Sequence, residues 1–114
     1  MKRAKADYDY ETDTLSIYVA SRSYDSSFHQ GNFIFDIDTD KRIMGLEILN
    51  ASKVFKVSKD SMLDSGQVLI EMIILDSSIK ISIVMDKVEL NTELSLEEFK
   101  SDFLRSSKMK VAFA

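Results

Sequence analysis

A chain of 114 residues with a net charge of -4, 45% apolar and 30% charged, has the balance of one globular domain and is too apolar for a disordered tail. Cysteine is absent, which removes disulfides, thiolate chemistry and zinc sites built on Cys, and fits a reducing compartment. No apolar stretch of a secretory signal follows the basic start Met1-Lys-Arg-Ala-Lys5. The longest wholly apolar run, Met72 to Leu75, falls far short of the roughly 20 residues that cross a bilayer, so the expectation is a cytoplasmic protein with no membrane partner.

Period-two alternation dominates the chain in order. Ala6, Tyr8 and Tyr10 share one face of a first strand, with Asp7 and Asp9 on the other. Leu15, Ile17 and Val19 mark a second strand across the turn Glu11 to Thr14. Residues 21–31 are polar and turn-rich and read as a loop carrying Phe28 and the sole histidine, His29. Phe33, Phe35 and Ile37 alternate in a third strand, the chain turns near Asp38 to Lys41, and residues 43–49 form a fourth. Asn50 then stands where an N-cap belongs, able to accept from the amides of Ser52 or Lys53, ahead of a short helix with Ala51, Val54 and Phe55 as its apolar stripe.

Residues 58–66 suggest a turn or a single helical turn capped by Ser61. Residues 67–75 and 79–88 are the most strand-like segments of all, joined at Asp76-Ser-Ser78. Both faces of the first are largely apolar, as expected of a central strand covered on both sides. Ser95 and Glu98 form a capping box, with Leu94 and Phe99 placed for a hydrophobic staple, and Leu96, Phe99, Phe103 and Leu104 make one face of a second helix. The pattern predicts an α+β fold over residues 1–114. It is a single domain whose antiparallel sheet of about six strands forms a meander of hairpins, with two short helices packed on one face. Residues 7–55 supply two hairpins and the short helix, and residues 66–106 a third hairpin and the C-terminal helix.

The segments Tyr8-Asp-Tyr-Glu-Thr-Asp-Thr-Leu-Ser-Ile17, Phe35-Asp-Ile-Asp38 and Ile43-Met-Gly-Leu-Glu-Ile-Leu-Asn-Ala-Ser52 together resemble the YuzE-like family, small prokaryotic proteins of unknown function. The likeness spans about residues 7–55 and departs at Lys41, where relatives often carry Gly. It implies no reaction. Some relatives are encoded beside small toxin-like proteins, which implies a partner-neutralising, antitoxin-like role.

Three classes of function compete. Asp36, Asp38, Asp40 and Glu47 fall at positions 1, 3, 5 and 12 of a calcium loop, so binding of calcium or magnesium is one reading. Against it, position 6 is Lys41 rather than Gly, and strands flank the loop where helices belong. A small hydrolase or nuclease is another reading, but acids in solvent-facing turns lack the burial that tunes a catalytic pair, and His29 has no nucleophile motif to serve. Gly31, Gly45 and Gly66 build no phosphate loop, and no cofactor is expected. Gly45 reads as a strand glycine at a bulge or beneath an aromatic ring.

The leading expectation is a non-enzymatic protein-interaction module. Its acids Asp7, Asp9, Glu11 and Asp13 offer a charged hairpin face to a basic protein partner. Lys53, Lys56 and Lys59 at three-residue spacing are the best basic patch, but no aromatics alternate with them, so nucleic acid is not the partner to expect. Tyr8, Tyr10 and Tyr18 are expected to complete a core. Exposed sheet edges and six methionines are compatible with a homodimer.

Overall fold

The computed structural model of the chain describes residues 5–19, 23–63, 68–75, 77–85, 88–95 and 108–113. Its first sheet is built from β1 (Lys5–Asp9), β2 (Thr14–Tyr18), β3 (Tyr24–Gln30), β4 (Phe33–Asp38) and β5 (Ile43–Ile48), in the order β1-β2-β5-β4-β3. Two five-residue helices follow, α1 (Ala51–Phe55) and α2 (Lys59–Leu63). A second sheet takes the order β8-β7-β6-β9, from β6 (Val68–Ile74), β7 (Ser78–Met85), β8 (Val88–Ser95) and β9 (Lys108–Phe113). Every pairing is antiparallel. The fold is α+β, as the alternation predicts, but the strands divide between two sheets instead of forming one of about six. Among the described residues no helix is long and apolar enough to cross a membrane.

The period-two residues explain where the core sits. Leu15 and Ile17 of β2, Leu46 and Ile48 of β5 and Phe33 and Phe35 of β4 are cross-strand neighbours, and all are buried. From the second sheet Ile70, Met72 and Ile74 meet Ile83, Ile81 and Ile79 in the same way. Ala51, Phe55 and Met62 of the helices join both sets in one apolar cluster. Each large side chain so buried contributes about 1.5–3 kcal/mol, which makes the division of inner from outer face the dominant choice in the fold.

Several local expectations are corrected. The segment read as a loop over 21–31 contains β3, an edge strand whose inward side includes Phe28, stacked on Phe35 at 4.9 Å between ring centroids. Asn50 does precede α1, but at φ 52° and with no side-chain cap bond. In α2 the cap is Ser58, whose Oγ accepts the amide of Ser61 at 3.2 Å, so Ser61 receives the cap that it was expected to supply. Ser95 ends β8, and Leu94, expected in a staple, pairs with Ile79 and packs on the core. The helix expected beyond it lies outside the described residues. Strand β6 is central, yet its outer face is open, since Leu69 is 52% exposed.

Helix α1 is too short to persist by propensity alone and is held at both ends. At its C-terminus Lys56 adopts φ 60° and its amide reaches Lys53 O, while the amide of Val57 reaches Ser52 O at 2.9 Å. That is the Schellman arrangement, carried by a lysine where glycine is usual. Its N-terminus is closed from 39 residues away.

Candidate functional site

The turn between β1 and β2 is set by Asp9, whose Oδ1 accepts the amides of Glu11 at 3.0 Å and Thr12 at 3.3 Å. The next corner is Asp13, in the left-handed region at φ 55°. This conformation aims both its carbonyl and its carboxylate at the start of α1. The carbonyl accepts the Ala51 amide at 2.8 Å, Oδ1 accepts the Ser52 amide at 3.0 Å, and Oδ2 accepts the Ser52 hydroxyl at 2.7 Å. Tyr8 donates its hydroxyl to Oδ1 at 2.6 Å from the neighbouring strand. Asp13 therefore caps α1 from another part of the chain, the task Asn50 was expected to perform.

Asp13 is 6% exposed, which corrects the expectation of a solvent-facing acid and removes it from the interaction face. Burial pushes its carboxyl up, but the bonds from Tyr8 and from the Ser52 amide and hydroxyl, with the charge of Lys59, outweigh burial and hold it below the ordinary 3.8. The Tyr8 hydroxyl is pushed well above its ordinary 10.0, first by burial and then by the Asp13 carboxylate it serves. A carboxylate so engaged is a poor general base: its stable ionised form already accepts three donors. Tyr8 and Ser52 are the partners that strand-by-strand reading missed. The motif segments contained both, but alternation says nothing of a contact between a turn and a distant helix.

The second acidic turn closes on itself. Asp38 is 3% exposed, and its Oδ1 accepts the amides of Asp40 at 2.8 Å and Arg42 at 2.9 Å. Lys41 occupies φ 63°, the conformation for which Gly is usual, and its Nζ meets Asp25 at 3.1 Å. Asp36 points the other way: its Oδ1 accepts the Ser27 hydroxyl at 2.6 Å. A Cβ on Gly45 would lie 3.1 Å from Asp36 Oδ2 and 3.3 Å from the Ile17 carbonyl, so the glycine makes room for a carboxylate and for backbone. A register shift between Asp36 and Ile37 puts it at a bulge, as one of the two expectations has it.

The four calcium-loop candidates do not converge. Asp36 and Glu47 share the outer face as diagonal neighbours, Asp38 is turned inward onto amides, and Asp40 is exposed in the turn. Among the described residues no three Asp, Glu or His side chains gather to hold a metal ion.

What remains outside on the first sheet, among the described residues, is one face. Cross-strand partners align in rows, Lys5-Tyr18-Gly45-Asp36-Ser27 and Asp7-Ser16-Glu47-Ile34-His29, with Asp9 opposite Thr14. Tyr18 is 38% exposed, and Tyr24, 59% exposed, bonds Ser27 Oγ at 2.7 Å. Tyr10 is exposed as well, with Lys59 Nζ 5.1 Å from its ring centroid and 3.1 Å from its carbonyl. So of the three tyrosines expected in the core, Tyr8 alone packs there. The lysine spacing makes no stripe either, because Lys59 folds back over Tyr10 while Lys53 and Lys56 face solvent.

The DUF2283 family, proteins of unknown function, matches residues 5–52. An uncharacterised protein of Methanocaldococcus jannaschii is 32% identical over 108 residues, covering 95% of this chain and 86% of that protein. The chain belongs to the DUF2283 family. A Methanosarcina mazei protein provisionally named a hypoxanthine phosphoribosyltransferase is 40% identical over 58 residues, 51% of this chain and 47% of that protein. No solved structure matches. The DUF2283 segment begins with β1 and ends at Ser52, the residue whose amide and hydroxyl close on Asp13.

Proposed function

We propose that this DUF2283 protein is a non-enzymatic interaction module that holds a basic protein partner against the outer face of the β1-β2-β5-β4-β3 sheet. The observation that carries the reading is how the acids divide. Asp13 and Asp38 are buried and bonded to the chain's own backbone, whereas Asp7, Asp9, Asp36 and Glu47 lie on the outer face beside Tyr18, the first two exposed and the last two half-buried, with Asp9 also accepting two amides of its turn. Lys5 is the basic residue in those rows. Acids with an exposed aromatic beside them favour a cationic segment, by Coulomb attraction and by cation-π contact. Glu11 extends the charge into the exposed turn. A partner-neutralising role, as the YuzE-like resemblance implies, is one form of this function.

The test is co-purification of the tagged chain from its host in low salt, beside a variant combining Asp7→Asn, Asp9→Asn, Asp36→Asn and Glu47→Gln. A basic protein should follow the wild type and be lost both from the variant and in about 0.5 M salt, where the screening length shrinks to a few ångströms. Recovery of the wild type alone in low salt sinks the reading.

A further inference from the structure

The second sheet has an outer face of a different character. Leu69 on β6 and Val84 on β7 are direct cross-strand partners, and they are 52% and 41% exposed in the middle of the sheet. Ile73 is half-buried beside them. Registers through all four strands place Glu89-Val84-Leu69-Ala112 in one row, Asn91-Ser82-Glu71-Lys110 in the next and Glu93-Lys80-Ile73-Lys108 in the third. The β8 edge of this face is acidic, the β9 edge is basic at two register positions, and the middle carries the apolar pair.

Such a gradient is complementary to itself under one rotation. We infer that this face packs on the same face of a second copy of the chain, about a two-fold axis parallel to the strands. That operation lays β8 of one copy over β9 of the other and β7 over β6, with no change of level along the strands. Leu69 then meets Val84 of the second copy, twice over. Glu93 falls over the position of Lys108, and Lys80 lays its stem across Ile73 and the shallow depression beside it, which Glu71, Ser82 and Asn91 also line. A two-fold axis across the strands is disfavoured, since it brings Glu89 over Glu93. Near-parallel strand directions also match the aligned class of sheet packing.

The face sets the strength. Four strands about 4.8 Å apart and about seven residues long at about 3.3 Å each give roughly 450 Å² per copy, or about 900 Å² for the pair. That is the small end of specific interfaces, so a weak, concentration-dependent dimer is expected. This surface lies on the other sheet from the acidic face, so the two proposals stand or fall separately.

Sedimentation equilibrium of the full chain from about 1 to 500 μM tests it. The wild type should pass from monomer to dimer, and Leu69→Asp should weaken association about tenfold or more. Glu93→Lys and Lys108→Glu should each be monomeric alone, because both symmetric contacts become like-charged, and an equimolar mixture of the two should associate as the wild type does. Circular dichroism confirms that each variant is folded. The mixture decides even if Leu69→Asp fails to fold, since Glu93 is exposed and its intramolecular partner Lys80 lies at 3.9 Å in solvent. A wild type that stays monomeric, a dimer indifferent to these changes, or a mixture that does not reassociate overturns the inference.

Discussion

The turn between β1 and β2 and the turn between β4 and β5 each carry an aspartate withdrawn from solvent, Asp13 at 6% and Asp38 at 3% exposure, and they use it in opposite ways. Asp38 accepts from Asp40 and Arg42, two and four residues ahead, so its bonds can form as soon as the hairpin does. Asp13 accepts from Ser52, 39 residues away, and from Tyr8 on the preceding strand. The same residue type is a local turn former in one place and a fastener between hairpin and helix in the other. The difference lies in backbone conformation: at φ 55° the Asp13 corner presents carbonyl and carboxylate together toward α1.

Removing each carboxylate should separate the two roles, with the larger effect at the fastener. Asp13→Ala leaves the Tyr8 hydroxyl and both Ser52 donors unmatched in a buried place and uncaps α1. Urea denaturation should report a loss of about 3–5 kcal/mol. A loss under about 1 kcal/mol would mean that water replaces the carboxylate and that the contact fastens nothing.

The pH profile sharpens the same contrast. Asp13 is held below 3.8 in the folded chain, so its stabilisation is complete above that value and falls away as pH drops through the depressed folded pKa. Tyr8 is raised above 10.0, so its contribution is complete below pH 10.0 and is lost as pH rises beyond, where the unfolded chain ionises more readily. Urea midpoints measured from pH 2 to 11 should therefore keep an acid limb in the wild type that shrinks in Asp13→Asn, and an alkaline limb that shrinks in Tyr8→Phe. An unchanged acid limb in Asp13→Asn would assign it to other carboxylates.

Asp38→Ala should cost less, about 1–2 kcal/mol by the same measurement, because the freed amides of Asp40 and Arg42 lie in a turn where water can reach them. Equal losses at Asp13 and Asp38 would erase the distinction between the turns. Smallest of all, Lys41→Gly should stabilise by about 0.5–1 kcal/mol, relieving a side chain at φ 63° at the expense of an exposed ion pair with Asp25 that is worth little. A destabilised Lys41→Gly would show that the lysine side chain holds the turn.

Strand existence was legible wherever one face is apolar and the other polar, as in β2, β4, β5 and β7. The edge strand β3 escaped because Tyr24 to Gln30 offers polar residues to both faces, and pairing with β4 decides its conformation. Strand β8 alternates Val88, Leu90, Thr92 and Leu94 inward, a signal present in the sequence but overshadowed by the capping box that begins at Ser95. The division into two sheets was not legible, since period two reports which face is buried and not which strands are neighbours. At the site, the acids were visible and their destinations were not: Asp9 and Asp13 look alike in sequence, yet one bonds its own turn and the other crosses to α1.

The clasp at Ser52 also makes a single amide informative about the whole unit. Its proton is held by an oxygen that belongs to the first hairpin, so it exchanges with solvent only when hairpin and helix part. Followed at neutral pH, that exchange rate reads the opening of the assembled segment. Followed into acid, the same proton should lose its protection as Asp13 becomes protonated, ahead of amides in the centre of β4.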